Sequence, residues 1–196
     1  MGNIINCKGM NCPLPVVNTK KYFDSIESGV STTIVDNEVA KNNIIKFAEN
    51  NGFTFEVKEE DGFYHIIITK GEALVNEDNS KIESKAEPFT IVISSDKLGE
   101  GNDELGVALM KSYLFALSEA DIVPDNLLLL NGGVKLVVED SLVLESLEKL
   151  KDRGVKIQSC GLCLDFYNIK DKLKIGEITN MYAIIETMNS SKTIKL

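Results

Sequence analysis

The sequence predicts an α/β protein in two blocks. An N-terminal β-α-β-α-β-β two-layer sandwich spans 1–70, a linker spans 71–88, and a parallel sheet with helices on both faces spans 89–196. Three observations carry this. "FTFEVKEEDGFYHIIITK" is two strand patterns around Asp61-Gly62, a dipeptide that tolerates the positive φ of a tight hairpin. "FTIVIS" and "NLLLLN" are unbroken aliphatic runs alternating with helical patterns, as in a parallel sheet buried on both faces. Between the blocks lies the polar "GEALVNEDNSKIESKAEP", closed by Pro88.

Residues 3–6 form a short strand candidate. In 13–28, Val16, Thr19, Phe23 and Ile26 recur at helical spacing, and Gly29 is a fitting stop. "TTIVD" (32–36) is β-branched and predicts a strand. Asp36 or Asn37 can cap the next helix, whose apolar face is Ala40, Ile44, Phe47 and Ala48 and which ends at Gly52. Phe53, Phe55 and Val57 then alternate with polar residues, and Ala73-Leu74-Val75 could extend the sheet.

In the second block a strand over 89–94 precedes a helix over 103–120. That helix is apolar almost all round (Leu105, Val107, Leu109, Met110, Leu114, Phe115, Leu117), so it is expected to be sandwiched or to face a partner. Strands at 126–131 and 155–159 flank a helix over 139–152 with Leu142, Leu144, Leu147 and Leu150 mostly on one side. A short segment, a helix over 180–188 and the strand "TIKL" complete the chain.

The 196 residues carry a formal net charge of −9, and 43% are hydrophobic. The negative charge argues against nucleic acid, which demands clustered Lys and Arg, and against an anionic membrane surface. "MGNIINCKGMN" lacks the basic-then-apolar pattern of a signal peptide, and Asn6 breaks the myristoylation pattern after Gly2. The expected compartment is the cytoplasm, where four cysteines are thiols, metal ligands or redox groups rather than structural disulfides.

The candidate chemistry centres on Cys12-Pro13-Leu14-Pro15. Pro13 suits the first position of a helix, because its φ is helical and its missing N–H would be unpaired there. Cys12 then becomes the N-cap, facing free N–H groups and the positive end of the helix dipole, which favour thiolate. Pro15 remains in the first turn. Position therefore favours a reagent thiol over an inert one. Cys7 reads as a small hydrophobe at the end of the first strand, with a resolving thiol as the alternative.

Gly9-x-x-Cys12-Pro13-x-Pro15, followed by Thr19-Lys20-Lys21, resembles the TusA/SirA-like sulfur carrier family. The resemblance implies that Cys12 carries sulfur as a persulfide and hands it to a partner. Where the family usually has Asp and Arg ahead of the motif, this chain has Asn6 and Lys8.

"SCGLCLDFY" places Cys160 and Cys163 straight after a strand of the second block. In a parallel sheet the loops after the strands share one edge, where ligands bind. That edge should gather Asp96–Gly101, Asn131–Lys135, Cys160–Cys163 and Thr179–Asn180. A C-x-x-C there can form a reversible disulfide, lower a thiol pKa or bind metal. Zinc would need Cys7, Cys12, Cys160 and Cys163 together, from two blocks and at a poor first spacing, so it ranks below redox or sulfur chemistry. His65 lies inside a strand and reads as filler. "KLGEGNDELG" lacks the GK[ST] ending of a phosphate loop and reads as a tight strand-to-helix turn; Asn131, Gly132 and Gly133 could cradle an oxyanion or simply turn the chain. No cofactor is expected.

"SDKLGEGNDELG", "LNGGVKL", "SCGLCLD" and "GEITNMY" give the second block a resemblance to the DsrE-like family. The two blocks together resemble the YedF type assigned to selenium metabolism. The resemblance implies persulfide transfer through Cys160 or Cys163 and a homo-oligomer through the DsrE-like block. It also implies a cysteine desulfurase-type or other persulfide or selenium donor, and an acceptor protein. Gly9, Pro13, Pro15, Asn131, Gly132, Gly133 and Asn180 are the supporting candidates. The rival readings are a scaffold that docks sulfur-transfer partners without chemistry, and a zinc-stabilised protein.

Overall fold

The computed structural model describes residues 3–71 and 88–196. The chain divides into two compact units, Met1–Ile82 and Glu83–Leu196. Most of the expected linker, with the strand extension at Ala73-Leu74-Val75, lies outside the described residues. No helix among those described is long and apolar enough to cross a membrane.

The first unit runs β1 (Asn3–Asn6), α1 (Leu14–Asp24), β2 (Gly29–Val35), α2 (Glu38–Asn50), β3 (Thr54–Glu60) and β4 (Phe63–Lys70). Its sheet has the order β1-β2-β4-β3, with β1 parallel to β2 and the other pairs antiparallel. The hairpin residues Asp61 and Gly62 have φ of 53° and 78°, the paired positive values that a two-residue turn requires. Alternation along the strands sends Val35, Ile66 and Ile68 to one face, where they bury Phe23 of α1 and Ala40, Ile44 and Ala48 of α2. His65, of opposite parity in β4, is half-buried opposite Ile34 and Lys58.

Two local expectations are corrected. α1 stops at Asp24 rather than 28, because the Lys70 ammonium donates to the carbonyls of Phe23 and Ile26 at 2.8 and 2.7 Å and occupies the helix end. Gly29, at φ 153°, opens β2 instead of ending a helix. Phe55 and Val57, opposite the core residues Ile68 and Ile66, lie on the edge strand β3 and stay 37% exposed.

The second unit runs β5 (Phe89–Ile93), α3 (Asp103–Glu119), β6 (Asn126–Leu129), a 3-10 turn (Asn131–Val137), α4 (Leu144–Asp152), β7 (Lys156–Cys160), α5 (Gly161–Phe166), β8 (Glu177–Thr179), α6 (Met181–Asn189) and β9 (Lys192–Lys195). All strands are parallel, in the order β8-β7-β6-β5-β9. The aliphatic strands serve both faces. Ile91, Ile93, Leu127, Leu129 and Ile157 pack on Met110 and Leu114 of α3 and Leu147 and Leu150 of α4. Val92, Leu128 and Cys160 pack on Ile184 of α6. α3 buries one stripe only and leaves Leu105, Val107 and Leu109 exposed.

The helix expected over 139–152 begins at Leu144: Val138 bridges to Leu173 and the Glu139 N–H bonds the Lys172 carbonyl at 2.9 Å, and Leu142 is exposed. α5 and β8 occupy the stretch between β7 and α6, where the sequence predicts only a short segment. "KLGEGNDELG" is a strand-to-helix turn: Leu98 N–H bonds the Gly106 carbonyl, and the Asn102 side chain caps α3 by accepting from Leu105 N–H at 2.9 Å.

Gly133 sits so close to β5 that a Cβ there would overlap the Ile93 carbonyl oxygen, whereas a Cβ on Gly132 would meet its nearest neighbour at 3.5 Å. Gly133→Ala should therefore destabilise the second unit by at least about 2 kcal/mol in urea unfolding. Gly132→Ala should stay within about 1 kcal/mol of wild type.

Candidate functional site

In the first unit the loop between β1 and α1 carries the Cys12 motif. Asn6 Oδ1 accepts the Lys8 N–H at 3.2 Å, and the Lys8 ammonium lies 3.6 Å above the Phe63 ring. Gly9 turns with φ 72° and donates its N–H to Asp36 Oδ2 at 2.5 Å. Asp36 also accepts from the Asn37 side-chain amide at 3.0 Å. The Gly9 N–H, then the Asn37 amide and the Lys8 charge, hold the Asp36 carboxyl below its ordinary range. Asp36 thus ties the end of β2 to the motif loop, while Asn37 caps α2 through Ala40 N–H at 2.8 Å.

Cys12 is exposed, as an available thiol must be. It is not the N-cap, however. Leu14 N–H bonds the Asn11 carbonyl at 3.0 Å, closing a turn, and the first helical bond runs from Val17 N–H to the Pro13 carbonyl at 3.1 Å. Pro13, at φ −98° and ψ 9°, is therefore the cap and Cys12 precedes it across a cis peptide bond. Pro15, buried at the second helical position, has no N–H to offer, and its carbonyl accepts the Thr19 hydroxyl at 2.8 Å. Thr19 in turn meets the Thr33 hydroxyl of β2 at 3.1 Å, so the motif helix is fastened to the sheet by a buried polar pair.

The contact to the Cys12 sulfur comes from α2: Asn43 Nδ2 donates to Sγ at 3.8 Å. Cys12, Asn43, Met10, Asn11, Pro13 and Val39 line an open cleft of about 260 Å³ between the two helices. Cys7 is fully buried in the core of this unit. Burial pushes its thiol pKa up, against a smaller opposite pull from the Asn18 amide.

Residues 3–70 match the sulfurtransferase TusA family. A candidate sulfur carrier protein of Methanocaldococcus jannaschii is 38% identical over 68 residues, which cover 34% of this chain and 91% of that protein. The chain belongs to the TusA family. The sulfur carrier protein TusA of Allochromatium vinosum is 34% identical over 68 residues, covering 34% of this chain and 90% of its own. A solved SirA-like protein of Desulfitobacterium hafniense is 36% identical at a TM-score of 0.34, covering 35% of this chain and 97% of that one.

Beyond the TusA unit, the second unit brings its candidate residues to the ends of its strands. Cys160 ends β7 and is 2% exposed; Cys163 lies one turn into α5 and is half-buried. Cys163 Sγ accepts the Asn131 N–H at 3.2 Å. Burial pushes the Cys163 thiol pKa up; the Asn131 N–H pulls it down, and the adjacent Cys160 thiol pushes it up again. Of the two readings of Asn131-Gly132-Gly133, the turn is the one that forms. The Asn131 N–H is committed to Cys163, and the Gly133 N–H bonds the Leu130 carbonyl at 2.8 Å. Asn180 caps α6 through Ala183 N–H at 3.1 Å.

Tyr167, Lys135 and Asp96 complete this edge. The Tyr167 hydroxyl donates to Asn131 Oδ1 at 2.9 Å, Lys135 lies 4.8 Å above the Tyr167 ring, and Asp96 pairs with Lys135 at 3.6 Å. Among the described residues, no group of three or more His, Cys, Asp or Glu is placed to hold a metal ion. Sequence reasoning missed Asp36 as a loop anchor, Asn43 and Tyr167. The first was visible only as a candidate helix cap, and the other two carry no local motif.

A depressed carboxyl contributes stability above the ordinary Asp range and loses it as pH falls through the lowered value. The Gly9 amide resonance should therefore titrate with a midpoint below that of an ordinary Asp. In Asp36→Ala that titration should vanish and Gly9 hydrogen exchange should accelerate several-fold, measured by NMR.

Proposed function

We propose that the protein is a chalcogen carrier. Cys12 holds persulfide sulfur, or selenium in its place, and a DsrE-like second unit offers Cys160 and Cys163 as a further thiol station. The observation that carries this reading is the exposed Cys12 thiol, ahead of a Pro-x-Pro helix start and open to a cleft, in a unit of the TusA family. The Cys12 thiolate attacks the outer sulfur of a donor persulfide R–S–SH. The Cys12 Sγ–S bond forms, the donor's S–S bond breaks, RS⁻ leaves with the electron pair of that bond, and the proton stays on the outer sulfur. A selenium atom in the outer position follows the same balance.

A cysteine desulfurase-type enzyme is the donor class, and a protein thiol is the acceptor. Gly9 anchors the loop, and Pro13 and Pro15 shape the helix start behind the sulfur. The second-unit motifs that resemble the DsrE-like family, and the YedF-type pairing with selenium metabolism, extend the reading to Cys160 and Cys163. The contact between Asn131 and Cys163 supports that extension.

Incubating the protein with a cysteine desulfurase and cysteine, without reductant, should add sulfur to Cys12, read by peptide mass spectrometry. Cys12→Ser should lose that adduct entirely while keeping its fold. A wild-type Cys12 that stays unmodified, beside a carrier labelled in the same tube, ends the proposal. Supplying a selenium donor in parallel reads by mass which atom is retained.

A further inference from the structure

We infer that Cys163, and not Cys160, is the reactive thiol of the second unit, and that Asn131 and Tyr167 are its positioning residues. The inference deepens the reading above, since it names which atom of the second thiol station does the chemistry.

The two cysteines differ in access. Cys160 packs among Val92, Leu128 and Ile184 beneath α6 and is 2% exposed. Cys163 is half-buried at the strand-end edge, where a reagent can reach it. They also differ in support. Cys163 Sγ accepts a backbone N–H, and the residue that donates it is held at both ends. The Asn131 N–H points at the sulfur at 3.2 Å, while its side-chain oxygen receives the Tyr167 hydroxyl at 2.9 Å. Asn131 sits at φ 44°, a left-handed conformation that asparagine tolerates better than other non-glycine residues.

Tyr167 caps α5, the helix that bears Cys163, and its own N–H bonds the Cys163 carbonyl at 3.1 Å. The contacts therefore close a ring, from Cys163 along α5 to Tyr167, across to Asn131 and back to the sulfur. Lys135 over the Tyr167 ring, paired with Asp96, holds the ring from its face. A backbone N–H on a thiolate stabilises the charged form and orients the attacking lone pair. In transfer, the Cys163 thiolate attacks the outer sulfur of R–S–SH. The Sγ–S bond forms, the donor's S–S bond breaks, RS⁻ departs with the electron pair of that bond, and the proton stays on the outer sulfur, with no net oxidation.

The test is site-resolved alkylation of the full chain with iodoacetamide across the thiol titration range, read by peptide mass spectrometry. Cys163 should label at least about tenfold faster than Cys160. Tyr167→Phe keeps the ring beneath Lys135 and removes only the hydroxyl. It should move the Cys163 labelling profile toward higher pH by up to about one pH unit and leave the Cys12 profile unchanged. Equal or faster labelling of Cys160 overturns the assignment. A Tyr167→Phe profile for Cys163 that superimposes on wild type overturns the positioning role. Because labelling needs no sulfur donor, failure of sulfur loading on Cys12 would sink the carrier reading and leave these outcomes readable.

Discussion

The second unit depends on one close approach. Gly133 lies against the Ile93 carbonyl with no room for a Cβ, so the chain leaving β6 folds tightly over the end of β5. Its N–H closes the turn onto the Leu130 carbonyl, and the Leu130 N–H bonds the same Ile93 carbonyl at 3.0 Å. With the turn pinned at two points, the preceding peptide has little freedom, and the Asn131 N–H is directed at the Cys163 sulfur. A looser connection after β6 would leave that thiol without its backbone partner. Packing of backbone on backbone thus decides a feature of side-chain chemistry.

The first unit reaches a comparable end by different means. A side-chain carboxylate holds the Cys12 loop, with Asp36 at the end of β2 accepting the Gly9 N–H, and the Lys8 ammonium adding its charge and its stacking on Phe63. Asp36 stands immediately before the Asn37 cap of α2, and α2 supplies Asn43 to the Cys12 sulfur. One short segment, 36–43, therefore fixes the loop, starts the second helix and contacts the thiol.

What is legible in the sequence is what is contiguous in it. The Asp61-Gly62 turn, the Asn37 cap and the aliphatic strands each depend on neighbours a few residues away, and local pattern finds them. The end of α1 depends on Lys70, far along the chain, and no pattern in 13–28 announces it. β8 has three residues and α5 six, too few for either period to register. Cys12, Cys160 and Cys163 stand out by motif. Asp36, Asn43 and Tyr167 serve them through contacts made by folding, at separations that spacing rules do not cover. The same distinction explains the shifted cap. Pro13 looks like a first helical residue by its φ preference, but the turn closed by Asn11 and Leu14 sets the register one residue later.

That one-residue shift changes the physical account of Cys12. At the cap position its sulfur would face unpaired N–H groups at the helix start. In the structure the Leu14 N–H is already bonded and Pro15 has none, so helix-end donors are scarce there. The partner of the sulfur is instead a side-chain amide on a half-buried residue of the neighbouring helix, at a distance long enough to be weak. Cys163 has the opposite arrangement, a sheltered sulfur with a short backbone bond. On the carrier reading this contrast is functional. A thiol that must surrender its cargo gains from an exposed seat and a contact that a partner can displace. A receiving thiol gains from a donor fixed in the fold, since the orientation of its attack is then set before the persulfide arrives.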